Sequence, residues 1–461
     1  MKLYNTLTRD IQEFKPLDAP CVGLYTCGPT VYNYVHIGNL RKYIGDDILK
    51  RVLKINGYEV KHIMNVTDVG HLVSDADEGE DKIEKMAREK RMEPIDLARF
   101  FEAYFFKSTD VVNVQRPDVV ARVTEHIKEQ VELIEKLLGK GFAYITDQAI
   151  YFDVAKFPEY TKLSGQKLEE KEIGVRKEVV VDPGKRNPAD FALWFKACGR
   201  FANHIMRWSS PWGEGFPGWH IECSAIAMTY LGETLDIHTG GIDHVPVHHT
   251  NEIAQSEAAS GKEFVKYWVH HGWLLVDGEK MSKSKKNFYT IDDVVKKGFD
   301  ALAYRYLTLL THYRAPINFT WKGLESAQSA LDRLYEIASA LPEEAEGVSV
   351  DYGHSFLDAV NNDLNMPEAI SVMWELLRSK ESEKIKAATL YEMDQVFGLK
   401  IREHAQASKN IPEEIMQLVK QREILRKQKK FGLADQLRNK IEKMGYILKD
   451  DKKGTKVLKK I

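Results

Sequence analysis

The sequence has few cysteines, no long apolar run and almost no net charge. Only four cysteines occur in 461 residues, too few for a disulfide framework, so reduced thiols or metal ligands are expected. The N-terminus carries no apolar signal core, and no apolar run is long enough to cross a bilayer. We therefore expect a cytoplasmic protein without a membrane contact. No internal repeat or low-complexity segment is evident.

What is present is an ordinary globular composition with an uneven charge. Hydrophobic residues make up 43% and charged residues 29% of a chain that is too long for one hydrophobic core, so several domains are expected. The net charge of -2 conceals a basic end, because residues 411–461 hold 15 Lys or Arg against 7 Asp or Glu. This segment predicts a polyanion contact, and a solvated lysine-rich surface is the alternative.

The alternation of apolar runs predicts an α/β fold. A strand at 22–27, a helix at 38–53 and a strand at 60–66 form a strand-helix-strand unit, the building block of a parallel sheet. A second half follows much later, and two halves around a crevice are typical of a doubly wound, Rossmann-type sheet with ligands at the carboxyl ends of its strands. Its predicted elements are a helix at 218–231, a strand at 235–238, a helix at 248–260 and a strand at 267–276.

The rest of the chain predicts an insertion and a helical C-terminal half. Between the two halves we expect helices at 95–109 and 119–138 and a hairpin within 142–153. The predicted division is 1–110 for the first half of the Rossmann-type domain, 111–205 for an inserted connective region, 206–275 for the second half, 276–322 for a lysine-loop region, 323–405 for an α-helical bundle and 406–461 for a small basic C-terminal domain.

Two cysteines and a helical His/Glu pair are candidate metal ligands. Cys27 ends the first strand, Cys223 lies in the helix at 218–231, and His248 and Glu252 stand four apart on one helix face. Thiolate, imidazole and carboxylate donors suit zinc. The alternative is that the cysteines are small buried hydrophobes. Rival ligands of the right type are His36, His238, His244 and His249.

Two segments are candidate phosphate contacts. The strand, glycine turn and helix N-terminus around residues 27–39 would present free backbone N–H groups to an anion. Lys280-Met281-Ser282-Lys283-Ser284 places two lysines on a loop after a strand, where they could hold a polyphosphate. The alternative is a solvated basic loop.

These two segments together carry a resemblance to a known family. His36-Ile37-Gly38-Asn39 and the lysine pentapeptide resemble the two nucleotide-binding signatures of class I aminoacyl-tRNA synthetases. Residues 26–32, 218–224 and 248–256 narrow the resemblance to the cysteinyl-tRNA synthetase family. The likeness extends from the first strand to residue 450, nearly the whole chain.

The resemblance implies a set of site residues. It implies one Zn²⁺ per subunit, held by Cys27, Cys223, His248 and Glu252. It implies ATP with Mg²⁺, with His36, Lys280 and Lys283 as catalytic residues. The implied ATP contacts are His36, Gly38, Asn39, Gly240, Asp243, Lys280 and Lys283, and Thr67 and Trp219 are the implied amino-acid pocket.

The resemblance also implies a reaction and partners. L-cysteine and ATP would form cysteinyl-adenylate, and the 3′ end of tRNA-Cys would accept the cysteine, with residues 406–461 reading the anticodon. We expect a monomer without an editing domain. The alternatives are an ATP-dependent ligase that joins cysteine to an amino sugar in mycothiol synthesis, and a catalytically silent tRNA-binding paralogue. Three departures from the family pattern are Asn39 in place of a second histidine, Lys285-Lys286 after the lysine loop, and a longer acidic segment at 70–81.

Overall fold

The computed structural model describes most of the chain as two compact units. The first unit comprises Met1–Thr320 with Ala359–Met366, and the second comprises Trp321–Asp358 with Pro367–Ile461. Of the residues singled out above, those at 282–286, which include Lys283, Lys285 and Lys286, lie outside the described residues, as does part of the segment at 70–81. The described residues are 1–70, 72–74, 78–166, 182–281, 287–344, 346–409, 411–451 and 454–459.

The first unit alternates strands and helices in both halves, with a strand-rich insertion between them. As far as β9 its elements are β1 (Lys2–Asn5), β2 (Asp10–Glu13), β3 (Cys21–Thr26), α1 (Ile37–Ile55), β4 (Glu59–Val66), β5 (Leu72–Ser74), β6 (Glu78–Asp81), α2 (Lys82–Lys90), α3 (Pro94–Val111), β7 (Val119–Arg122), α4 (Ile127–Gly139), β8 (Ala143–Ile145) and β9 (Ala149–Phe152). They are followed by β10 (Phe191–Lys196), β11 (Trp208–Ser210), β12 (Gly213–Pro217), α5 (Trp219–Leu231), β13 (Leu235–Gly241), α6 (His248–Ser260), β14 (Val265–His271), β15 (Leu274–Val276), β16 (Glu279–Lys280), α7 (Ile291–Lys296), α8 (Ala301–Leu309) and β17 (Ile317–Phe319).

The central sheet has the order β14-β13-β3-β4-β7, and all its neighbouring strands are parallel. Its strands are nearly continuous apolar runs because helices cover both faces, and Val22, Leu24 and Ile237 are fully buried. The chain builds outward from β3 on one side and from β13 on the other. The switch point between β3 and β13 is where such a sheet opens a crevice at its carboxyl edge. The predicted doubly wound, Rossmann-type fold is confirmed.

Two predicted elements were wrong. Residues 119–122 were expected to begin a helix, but they form β7, which pairs with β4 as an edge strand of the sheet. The strand predicted at 267–276 is two strands in two sheets, because β14 ends at His271 and β15 pairs with β16 and β17. At this break the Arg41 guanidinium donates hydrogen bonds to the carbonyls of Gly272 and Trp273, at 2.6 and 2.5 Å.

The hairpin of the insertion and the helical character of the second unit agree with the prediction. The hairpin within 142–153 is confirmed as β8 and β9, which belong to an antiparallel sheet of order β11-β12-β10-β9-β8. The second unit is helical and ends in a hairpin with its own small apolar core. The elements after β17 are α9 (Trp321–Ala340), α10 (Val350–Asn361), α11 (Met366–Arg378), α12 (Glu383–Phe397), α13 (Ile401–Lys409), α14 (Glu413–Lys427), α15 (Phe431–Lys443), β18 (Tyr446–Asp451) and β19 (Gly454–Lys459). The end of α10 and the first residue of α11 fall in Ala359–Met366, which belongs to the first unit.

The exact division of the chain into six segments remains a prediction.

Among the described residues, no helix combines the length and apolar character that a membrane span requires.

Candidate metal centre and nucleotide site

The structure brings the four proposed metal ligands together at the switch point. Cys27 directly follows β3, Cys223 lies on α5, and His248 and Glu252 are one turn apart on α6. All four are buried, and one ligand atom from each lies within 4.8 Å of the others. The donor set of two thiols, an imidazole and a carboxylate fits zinc in both softness and number.

A second grouping shares two of these ligands. Cys27, His238, His249 and Glu252 also offer ligand atoms within 4.8 Å of one another. The other two rival ligands of the sequence, His36 and His244, belong to neither group found among the described residues. Glu252 connects the two groups, because it faces one histidine of each. Its Oε1 is 3.0 Å from His248 Nε2, and its Oε2 is 2.9 Å from His238 Nε2.

The histidines are themselves held by hydrogen bonds and stacking. His248 Nδ1 lies 2.9 Å from His220 Nδ1, which leaves His248 Nε2 facing Glu252. The Trp219 indole stacks on the His248 ring at a centroid distance of 4.3 Å. His249 Nδ1 lies 2.7 Å from His270 Nε2. Such partners on the second ring nitrogen fix the orientation of a metal-binding imidazole.

The two thiols have opposite ionisation tendencies. Burial by itself raises the pKa of Cys27, but the hydrogen bond with Cys223 and the nearby imidazoles bring that pKa well below its usual value. Burial, reinforced by the neighbouring Cys27, raises the pKa of Cys223 well above the usual value. Burial would lower the pKa of His248, yet the Glu252 carboxylate raises it to about 10. A bound metal would displace these protons, since it requires unprotonated ligands.

The nucleotide segment, residues 36–39, is the candidate phosphate contact at the N-terminus of α1. His36 is the N-cap residue, and its Nδ1 accepts a hydrogen bond from the Asn39 N–H at 3.2 Å. Asn39 Oδ1 accepts weakly from the His36 N–H at 3.5 Å, so the two residues form a capping box. Burial lowers the pKa of His36 to about 4, against a small opposing effect of Asp243. Asn39, where a second histidine was expected, therefore orients the first one.

The described part of the lysine loop lies against this segment. A Cβ atom on Gly38 would come within 2.5 Å of Met281 Cε, so the two signature segments pack closely. Glycine at position 38 provides the space for the Met281 side chain. Lys280, the last residue of β16, is exposed. The glycine turn after β13 is close to the histidines, because a Cβ on Gly240 would meet His249 Cε1 at 2.4 Å.

The expected pocket residue Thr67 joins a buried network that sequence reasoning missed. Its hydroxyl donates to Oε1 of Glu222, which also accepts from Asn65 Nδ2 at 3.2 Å. Asn65 Oδ1 in turn accepts from the Gly28 N–H at 2.7 Å. Burial raises the pKa of Glu222 well above its usual value, although the Thr67 hydroxyl opposes this.

A second buried group that the sequence did not reveal holds the Cys27 main chain. Lys42 Nζ donates to the Cys27 carbonyl at 2.5 Å and pairs with Asp46 at 2.8 Å. His271 Nε2 lies 2.9 Å from the other Asp46 oxygen. The spacing of Lys42 and Asp46, four residues apart on a helix, was the only sequence signal for this ion pair. Such a pair is normally predicted to lie on the surface, and nothing in the sequence marks this face of α1 as buried.

Comparison with known proteins assigns the class. Residues 13–329 match the catalytic domain of the tRNA synthetases class I (C). The methionyl-tRNA synthetase of Mycobacterium tuberculosis in complex with methionyl-adenylate superposes with a TM-score of 0.56 at 16% identity, covering 86% of this chain and 95% of that chain. At this identity the likeness shows the fold. Fold and catalytic domain are those of a class I aminoacyl-tRNA synthetase.

Close relatives then identify the family. Residues 408–457 match the cysteinyl-tRNA ligase anticodon binding domain. The cysteine–tRNA ligase of Treponema denticola is 41% identical over 483 residues, covering 98% of each chain. Cysteine–tRNA ligase 1 of Burkholderia lata is 42% identical over 458 residues, covering 99% of this chain and 96% of the relative. The chain belongs to the cysteine–tRNA ligase family.

Proposed function

We propose that this chain selects L-cysteine at a zinc ion, activates it with ATP as cysteinyl-adenylate and transfers it to the 3′ end of tRNA-Cys. The observation that carries this proposal is the buried group of Cys27, Cys223, His248 and Glu252 at the switch point. Cys27 and His36 stand at the two ends of the segment that connects β3 to α1. Selection and activation would thus occur in one crevice.

We propose that Cys27, Cys223, His248 and Glu252 are the ligands, and that the rival histidines are supports. The Nδ1 atom of His248 is hydrogen-bonded to His220, and a ligating imidazole usually has such a partner on its other ring nitrogen. His238 bonds to the Glu252 oxygen that faces away from His248, which suits a residue that orients the carboxylate. His249 is bonded to His270 and reaches Cys27 Sγ at 3.2 Å.

Selection of cysteine needs more than shape. Serine and alanine are nearly the same size, and shape provides only about 1 to 3 kcal/mol for a methylene-sized difference. Zinc would supply a bond to the substrate thiolate that neither a hydroxyl nor a methyl group can match, and this thiolate would be a fifth ligand or would replace the Glu252 carboxylate. Thr67 and Trp219, which contact Glu222 and His248 in the same site, would line the pocket. A separate editing site is then unnecessary.

Activation would rely on positioning and charge. A carboxylate oxygen of cysteine attacks the α-phosphorus of ATP, and the bond to the departing pyrophosphate breaks. Because His36 Nδ1 accepts from Asn39, its Nε2 carries the proton and can donate to a phosphate oxygen. Lys280 and Lys283 would balance the charge of the phosphates that Mg²⁺ accompanies. Gly38, Asn39, Gly240 and Asp243 would complete the ATP contacts.

Transfer would require both ends of the tRNA. A terminal hydroxyl of the tRNA attacks the adenylate carbonyl and releases AMP. Residues 406–461, which include the anticodon-domain match and the basic segment, would bind phosphates and read exposed bases. The 98–99% coverage of this chain by tRNA-charging relatives supports this reading over the amino-sugar ligase and the silent paralogue.

The test is cysteine-dependent exchange of labelled pyrophosphate into ATP, followed by charging of purified tRNA with labelled cysteine. Both activities are expected from the purified chain, together with one zinc per subunit. Exchange without charging would favour the amino-sugar ligase, and the absence of exchange would favour the silent paralogue.

A further inference from the structure

The two thiols of the metal group reach it from different parts of the fold, and one side chain connects the segments that carry them. Cys27 sits in the loop after β3, whereas Cys223 sits on α5, almost two hundred residues later. Between them lies the end of β4, where Asn65 is 1% exposed. A metal site built from distant segments needs something to fix their separation, because ligand geometry tolerates only small displacements.

Asn65 bonds to the direct neighbours of both thiols. Its Oδ1 accepts from the N–H of Gly28, the residue after Cys27, at 2.7 Å. Its Nδ2 donates to Oε1 of Glu222, the residue before Cys223, at 3.2 Å. The two ends of the amide have different hydrogen-bonding capacity, so the acceptor must face Gly28 and the donor must face Glu222. A side chain that only donates or only accepts cannot make both bonds.

The main chain at Gly28 supports the same arrangement. A Cβ atom on Gly28 would lie 1.6 Å from the Asn65 carbonyl oxygen, so the loop after Cys27 is pressed directly onto β4. Only glycine permits this approach. On the other side, the Thr67 hydroxyl also donates to Glu222 Oε1, and it thereby holds α5 to the end of β4 from a second point.

We propose that Asn65, acting with Glu222, is a positioning residue that holds the Cys27 and Cys223 segments at the separation the metal requires. This inference rests on the ligand set of the proposed function. It assigns Asn65 no contact with the metal, the substrate or ATP. Its effect should therefore appear first in metal affinity and ligand geometry.

The test measures zinc affinity of the full-length protein by competition with a chelator, in the wild type and in N65L and N65D. N65L removes both bonds at similar volume, and N65D keeps the acceptor for Gly28 but loses the donor to Glu222. We expect the zinc dissociation constant to rise about 10- to 100-fold in both variants. In the cobalt-substituted proteins, the thiolate-to-cobalt absorption should also shift, which a general loss of stability would not cause.

The matched control is Q130L. Gln130 is a fully buried amide on α4 that donates to the backbone carbonyls of Val123 and His126, at 3.1 and 2.9 Å, and neither of these residues belongs to the metal group. Its replacement should lower the urea midpoint without changing zinc affinity. E222Q, which keeps an oxygen acceptor for Asn65, should stay closer to the wild type in zinc affinity than N65L does.

Wild-type zinc affinity in N65D would overturn the proposal even if N65L does not fold. An equal loss of affinity in Q130L would also overturn it, because the effect would then reflect overall stability. The proposed function would fail by a different result, the absence of cysteine-dependent exchange in the wild type. The zinc affinities of the variants could still be compared in that case.

Discussion

At the scale of single residues, Cys223 offers the sharpest test of the metal assignment. A serine hydroxyl cannot replace the thiolate as a zinc ligand at neutral pH, so Cys223→Ser should lose its zinc and, with it, cysteine-dependent exchange. Metal content of the purified variant checks this. The control is Cys198→Ser, because the Cys198 thiol donates to the Asp147 carbonyl and belongs to neither metal group found among the described residues. Full zinc retention in Cys223→Ser would contradict the ligand set.

His36 should make stability depend on pH in a defined direction. Its pKa is about 4 in the folded protein, below the value of about 6.5 for an unfolded histidine. Between those pH values the unfolded chain binds more protons, so His36 lowers stability as the pH falls from 6.5 to 4 and has no such effect above 6.5. In His36→Gln, the loss of stability between pH 7.5 and 5 should therefore be smaller than in the wild type.

Urea unfolding at the two pH values measures this difference, and nuclear magnetic resonance titration of the His36 ring checks the pKa itself. The same pH dependence in both proteins would contradict the burial argument. At neutral pH the His36 imidazole stays uncharged. This suits a role as a neutral hydrogen-bond donor to phosphate and not as a cation paired with it.

At the scale of elements, α1 connects the nucleotide segment, the candidate metal group and the edge of the central sheet. Its buried face carries Lys42 and Asp46, which link the Cys27 carbonyl to His271 on β14. Room for the His271 ring comes from Gly45, since a Cβ there would lie 2.3 Å from His271 Cε1. A glycine inside a helix is unfavourable, so its presence here indicates close packing.

The substitution Gly45→Ala should therefore destabilise the protein. Alanine gains about 1 kcal/mol in helix propensity, but displacing a packed imidazole costs about 1 to 3 kcal/mol and strains the pair with Asp46. The control is Gly139→Ala at the end of α4, where an added Cβ meets nothing within 4 Å and stability should hold or rise by up to about 1 kcal/mol. Urea unfolding of both variants provides the comparison. Equal midpoints would contradict the packing argument.

At the scale of the whole molecule, local patterns predicted the architecture and missed what depends on distant partners. The buried parallel strands were visible because apolar residues follow one another without polar interruption. β7 was missed because four residues ahead of a helical pattern read as its first turn. Where the run at 267–276 divides, its carbonyls bond to Arg41, which lies more than two hundred residues away in sequence. For the site, the family resemblance and the spacing of His248 and Glu252 supplied the candidate ligands.

The supports of the site were not predictable in the same way. Asn65 and Glu222 are separated by 157 residues in sequence, and no spacing indicates that they meet. Buried carboxyl groups are rare enough that Glu222 would normally be placed on a surface. Local order within elements can be inferred from sequence, whereas hydrogen bonds between elements require their packing to be known.

The two compact units lead to a prediction about separable steps. Every described residue of the metal group and the nucleotide segment belongs to the first unit, and the anticodon-domain match lies entirely in the second. Ile415, Leu418, Ile441, Tyr446 and Leu448 belong to an apolar cluster of the C-terminal segment itself. Removing the chain from Ile411 onward should therefore leave cysteine-dependent exchange largely intact.

The same truncation should weaken tRNA charging, because it removes a net charge of +8 and the segment that would read the anticodon. Charging by the full chain should also fall with added salt more steeply than exchange does, since only charging needs contacts with tRNA phosphates. The ratio of charging to exchange in both proteins, measured across salt concentrations, separates the two steps. Normal charging by the truncated chain would show that tRNA is recognised through the remaining residues alone.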